Sequence, residues 1–137
     1  MKILRKKFIP YLWLLLLHLL LLIPLHPSKE NELIKIPNLD KLIHLGIYAI
    51  LTALWTIFIY QKATLSKQEK ITWSFVLFLL AVADGIMIEF LQQLPIIHRD
   101  FDWFDALADG IGSAIGVFIG HYYEKMSTKK PLWKQGP

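Results

Sequence analysis

Asp84, Glu89, Asp105 and Asp109 lie within or beside apolar stretches long enough to cross a bilayer. A charged side chain at mid-bilayer costs at least ~2.5–3.5 kcal/mol on insertion scales, so such acids are functional candidates by default. Asp40, His44 and Tyr48 are spaced by four and share one face of a helix. Glu89 recurs with Gln92 or Gln93 on the next turn, and Asp102, Asp105 and Asp109 follow at intervals of three or four. Lys41 and Arg99 bring positive charge to the same level. This set admits two kinds of chemistry. As a binding site, Arg99 and Lys41 would hold the phosphate of a polar headgroup while the acids orient them. As a reaction centre, Glu89 or Asp109 would be the general base and His44 the acid, with Arg99 stabilising developing charge. No metal or cofactor is expected, since a carboxylate–histidine site depends on a ligand geometry that spacing alone does not supply. No serine nucleophile motif is present, and the absence of cysteine removes thiolate chemistry and disulfides.

The elements that must position these residues are read from hydropathy. Four apolar stretches, roughly residues 8–25, 39–60, 71–94 and 103–123, fill most of the 137 residues. About 20 mostly apolar residues span the ~30 Å hydrocarbon core, and the first stretch only just qualifies. The expected fold is an all-α membrane protein, a single four-transmembrane-helix bundle over residues 1–137. Composition agrees: the chain is 55% hydrophobic with mean hydropathy +0.44, and charged residues make up 19% against about 25% in a soluble domain. The basic residues that raise the pI to about 9.3 flank the spans, which points to topology and not to nucleic acid.

Lys2, Arg5, Lys6, Lys7, Lys62, Lys67, Lys70, Lys125, Lys129, Lys130 and Lys134 fall on one side, and Lys29, Lys35, Lys41 and Arg99 on the other. That imbalance over short loops puts both termini in the cytoplasm and the acidic ends of the spans outside. The first stretch follows a basic segment but lacks a small-residue cleavage pattern after Ile23-Pro-Leu-His-Pro27, so an uncleaved signal anchor is expected. Asn38 is expected to cap the second helix and Ser66 or Thr64 the third, while Pro95 ends the third.

Asp102, Asp105, Asp109, Gly112, Gly116 and Gly120 form one stripe of the fourth helix, acidic at one end and glycine at the other. Small residues at this spacing let membrane helices approach closely, so the stripe, acids included, should face the bundle. Asp84 lies about 140° around the third helix from Glu89 and is expected apart from the cluster. His18 is expected as a packed polar residue, and His121 and Tyr122 as interfacial anchors. The cluster itself has two readings: a buried polar network that fixes helix register, with Arg99 and His44 compensating the acids, or a functional pocket.

Three segments together carry a resemblance. Asp40-Lys-Leu-Ile-His44 with Tyr48, Glu89-Phe-Leu-Gln92, and Arg99-Asp-Phe-Asp102-Trp-Phe-Asp105 followed by Asp109 and Gly112 resemble, in order and spacing, the motifs of the VanZ-like family of small membrane proteins. The resemblant region covers about residues 38–120. Asp109 stands where that family typically has asparagine, and Leu94-Pro-Ile-Ile-His98 lacks the glycine that often precedes the arginine. The resemblance implies a multi-pass protein of the bacterial plasma membrane with a cell-envelope role, in a family named for an association with resistance to the glycopeptide teicoplanin. Asp40, Lys41, His44, Tyr48, Glu89, Gln92, Arg99, Asp102, Asp105 and Asp109 are then the expected ligand-binding residues, and a membrane lipid or lipid-linked envelope precursor the expected partner. A third class, a proton-coupled carrier using Asp84 and Glu89, would call for a homo-oligomer, since four helices are few for a monomeric carrier.

Overall fold

The computed structural model describes residues 6–23, 38–97 and 99–128, which form four helices: α1 (Ile9–Leu22), α2 (Leu39–Tyr60), α3 (Lys67–Gln92) and α4 (Trp103–Thr128). Three helices, Leu39–Tyr60, Lys67–Gln92 and Trp103–Ser127, are long and apolar enough to cross a membrane. By length and composition this is a multi-pass membrane protein. The exposed faces of α3 and α4 carry Phe75, Leu79, Leu80, Ile115, Phe118 and Ile119, as hydrocarbon contact requires. At 14 residues, α1 rises only about 21 Å, shorter than the hydrocarbon core. Its last residues, expected from the sequence to reach Leu25, end at Leu22, where Ile23 turns extended. The expected first loop and its prolines lie outside the described residues, as do the extreme termini.

Local chemistry sets the boundaries. Pro10 opens α1 in its first turn, where its missing N–H costs nothing. Ser66 and Glu69 form a reciprocal capping box at the start of α3. Asn38 does occupy the N-cap of α2, but with φ 60° and no side-chain cap bond. A left-handed residue points its side chain away from the first turn, so the expected cap is not formed; asparagine tolerates this backbone better than most residues. α3 ends at Gln92, and the chain turns over Leu94–Ile97 with Ile97 N–H donating to Leu94 O at 2.9 Å.

α2 and α4 form the spine. A Cβ built on Gly112 would land on Leu45 O, one on Gly116 on Ala49 O and Thr52 Oγ1, and one on Gly120 2.8 Å from Ala53 O. Backbone therefore meets backbone along α4's glycine stripe, and α2 is what it packs against. The buried Thr52 hydroxyl lies 2.9 Å from both Tyr48 O and Ser113 O, tying the two helices at mid-length. α1 leans on α2 and α3 through Leu17 and Leu21, which join Ile47, Tyr48, Leu51, Ala81 and Ile88 in the apolar core. Trp13 Nε1 donates to Ile47 O at 3.1 Å, and the Tyr11 and Trp55 rings meet edge-on at 4.8 Å. The start of α2, the ends of α1 and α3 and the start of α4 thereby share one end of the bundle, called here the Asp102 end.

Candidate functional site

Two polar clusters lie one above the other at the Asp102 end. The upper one is built by an N-cap. Asp102 precedes α4, and its Oδ1 accepts from Phe104 N–H at 2.8 Å. Asp105, in the first turn of the same helix, and Asp40, in the first turn of α2, sit where a helix dipole favours a carboxylate. Lys41 Nζ bridges all three, 2.6 Å from Asp102 Oδ2 and 3.1 Å from both Asp40 Oδ2 and Asp105 Oδ1. The ammonium holds the Asp102 carboxyl below the usual carboxylate range.

One turn deeper the second cluster is fully enclosed: His44 is 1% exposed, Glu89 and Asp109 0%. His44 Nδ1 lies 3.0 Å from Asp109 Oδ1 and 3.9 Å from Glu89 Oε1. Glu89 is aimed by its other oxygen, since Oε2 accepts from Asp102 N–H at 3.0 Å. Asp109 is aimed by a missing side chain. A Cβ on Gly85 would come within 2.8 Å of both Asp109 Cβ and Oδ2, so glycine on α3 is what lets Asp109 lie against that helix. His44 Nε2, Glu89 Oε1, Asp109 Oδ2 and Ser113 Oγ are buried and have no hydrogen-bond partner among the described residues.

The remaining expected site residues separate from this pair of clusters. Gln92 is buried, but its Nε2 donates to Leu21 O at 2.9 Å, satisfying a carbonyl left open at the end of α1. Tyr48 donates its hydroxyl to Asp84 Oδ2 at 2.9 Å. Asp84 also meets His18 Nε2 at 3.2 Å, while His18 Nδ1 lies 2.9 Å from Leu14 O. Asp84 is thus apart from Glu89, as the helical angle implies, yet joined to Tyr48; and His18, expected only to pack, has a carboxylate partner. Beside Asp84 an apolar groove of about 480 Å³ opens between α1, α2 and α3, lined by Leu14, Leu51, Trp55, Trp73 and Leu80 among others.

Arg99 requires a correction. It was expected to compensate the acids, but among the described residues its half-buried side chain makes no ion pair with them; only its backbone N–H is engaged, with Gln92 O at 3.2 Å. The compensating cation is Lys41, because its position in the first turn of α2 faces α4 across their close contact, whereas Arg99 belongs to the rim connecting α3 and α4. Ser113 and Gly85 join the site without standing among its expected residues. Ser113 was within reach, four residues beyond Asp109 on the same stripe; Gly85 carries no periodic signal. At the opposite end, His121 Nδ1 lies 2.8 Å from the Tyr60 hydroxyl.

Comparison with known proteins found no matching family model, no matching curated protein and no matching solved structure.

Proposed function

We propose that this chain is a VanZ-like integral protein of the bacterial plasma membrane that binds the polar headgroup of an envelope lipid or lipid-linked precursor at its Asp102 end. In this reading α1 with its flanking residues is a fourth span, both termini are cytoplasmic, and the Asp102 end is extracytoplasmic. The course of α1, antiparallel to α2 and parallel to α3, supports the fourth span, with Lys6 and Lys7 extending its reach to the interface. A membrane-impermeant thiol reagent on intact cells tests the sidedness: Ser28→Cys should label and Ser66→Cys should not, and the reverse pattern sinks it.

One observation carries the binding reading. His44 Nε2, Glu89 Oε1 and Asp109 Oδ2 are buried without a hydrogen-bond partner among the described residues, at the Asp102 end of the bundle. Each such group costs about 1–3 kcal/mol, which a ligand's polar atoms would relieve. Lys41 is committed to three carboxylates, so a headgroup phosphate falls to Arg99, and sugar or other hydroxyl donors suit the carboxylates beneath. The apolar groove beside Asp84 offers room for a lipid chain. In nanodiscs, polyprenyl phosphates and their sugar-linked diphosphates should be retained in preference to phosphatidylglycerol, with retention lowered in Arg99→Gln and Glu89→Gln. Equal retention of every lipid, or variants that bind like the parent, would refute the reading. Raised teicoplanin tolerance on expression would tie binding to resistance.

A second reading, a membrane-embedded acid/base enzyme on the same class of lipid, draws on the His44–Asp109 contact of 3.0 Å. A carboxylate that orients one imidazole nitrogen leaves Nε2 free for proton transfer, the arrangement acid/base catalysis needs. Turnover of a lipid-linked substrate, abolished by His44→Gln, would favour it.

A further inference from the structure

Two groups of three ligand-bearing residues occur at the Asp102 end, Asp40 with Asp102 and Asp105, and His44 with Glu89 and Asp109. They differ in how their charge is met. The upper trio encloses an ammonium supplied by the chain, Lys41. The lower trio is buried on all sides, and the ion pairs of Glu89 and Asp109 among the described residues are with His44 alone. Two ionised carboxylates in such an enclosure are expensive unless paired or coordinated to a metal. We infer that His44, Glu89 and Asp109 together form a binding site for one divalent transition-metal ion of the Zn²⁺ or Mn²⁺ type.

The geometry suits it. One ligand atom from each residue lies within 4.8 Å of the others, and the two separations from His44 Nδ1 are 3.0 and 3.9 Å. Ligands about 2.0–2.2 Å from a tetrahedral ion stand roughly 3.4 Å apart, in the middle of that range. The second observation is independent of the clustering: Glu89 Oε1 is completely buried, has no hydrogen-bond partner among the described residues, and is turned toward His44 by the Asp102 N–H bond on Oε2. A carboxylate ligand held in this way through its other oxygen is the usual support of a metal site.

Charge and ligand type set the class of ion. Two carboxylates and a neutral imidazole balance a charge of +2, with the ion in place of a proton at Nδ1. One nitrogen and two oxygens suit Zn²⁺, Mn²⁺ or Fe²⁺ better than Mg²⁺ or Ca²⁺, which take oxygen ligands, and the absence of thiolate disfavours Cu⁺. The acids of the upper trio, one turn above, would draw cations toward this depth. The inference draws on the same buried carboxylates as the lipid reading but does not rest on it: an ion needs no headgroup, and metal binding by the chain in detergent without added lipid separates the two.

The test uses the full chain in detergent, with any affinity tag removed, stripped with chelator and titrated calorimetrically with Zn²⁺ and with Mn²⁺. One saturable equivalent of at least one ion is expected. Loss of a support around a ligand weakens metal binding by about 10–100-fold, so loss of a ligand itself in His44→Gln or Glu89→Gln should cost at least that much. Asp100→Asn, which alters an exposed acid outside both trios, should bind like the parent. Absence of saturable binding, binding that survives both lower-trio substitutions, or binding lost in Asp100→Asn would overturn the inference. Should His44→Gln and Glu89→Gln not fold, Asp109→Asn, whose amide oxygen still accepts from His44, decides it: an isotherm weaker than the parent's supports the site, and a parent-like isotherm refutes it.

Discussion

Gly116→Ala and Gly46→Ala should change stability in opposite directions, although both replace a glycine within a membrane-spanning helix. At Gly46 an added Cβ meets nothing within 4 Å, so the substitution removes only glycine's conformational cost, a gain of about 0.5–1 kcal/mol. At Gly116 the same methyl falls on Ala49 O and on Thr52 Oγ1. The carbonyl belongs to the α2 backbone and cannot rotate away, so α2 and α4 must separate. Overpacking of this kind costs about 1–3 kcal/mol. Displacing the Thr52 hydroxyl from Ser113 O and Tyr48 O adds about 1 kcal/mol. Setting the relief of glycine entropy against this leaves a net loss of roughly 1–3 kcal/mol for Gly116→Ala. Unfolding by denaturing detergent, followed by circular dichroism, measures both on one scale. A Gly116→Ala midpoint at or above that of the parent would mean that α2 does not lie against the glycine stripe, and the placement of His44 opposite Asp109 would fall with it.

Lys41→Met should cost roughly 1–3 kcal/mol, between the values for exposed and buried pairs, because the half-exposed Asp40 and Asp102 are paired with a buried Asp105; adding Asp105→Asn should restore part of the loss, and no recovery would show that the three acids are not held by charge. Stability should also decline in acid: the Asp102 carboxyl is lowered by Lys41, so its contribution is complete above the unfolded value near about 3.9 and disappears as pH falls through the lower folded value. Lys41→Met should abolish that share of the acid sensitivity, and an unchanged pH profile would count against the pairing. Asp109→Asn should fold within about 1 kcal/mol of the parent, since an amide oxygen can still accept from His44 Nδ1 at the 3.0 Å contact, while binding Zn²⁺ or Mn²⁺ more weakly; a parent-like metal isotherm would remove Asp109 from the ligand set.

The helices, and the residues each of them can offer, are legible along the chain. A predominantly apolar run set α2 at residues 39–60, Ser66 stood with Thr64 as a candidate cap of the third helix, and the recurrence of Gly112, Gly116 and Gly120 at every fourth residue allowed a close helix contact. These are one-dimensional properties: hydropathy, capping and helical period act within a single segment, so they can be read along it. Which helix the glycines would meet, and which cation would meet the acids, are relations between segments distant in the chain. That α2 lies against the stripe emerges from the packing of the helices. That same approach carries Lys41 Nζ to Asp102 and Asp105 and His44 to Asp109, while Arg99, nearer to these acids in sequence, remains at the rim. Asp84 and Gln92 show the same division, since their partners, Tyr48 with His18 and Leu21 O, come from other helices. Helical period assigns a residue to a face; the depth and rotation at which two faces meet depend on backbone-to-backbone packing, and that packing determines which polar atoms pair and which are left buried without a partner.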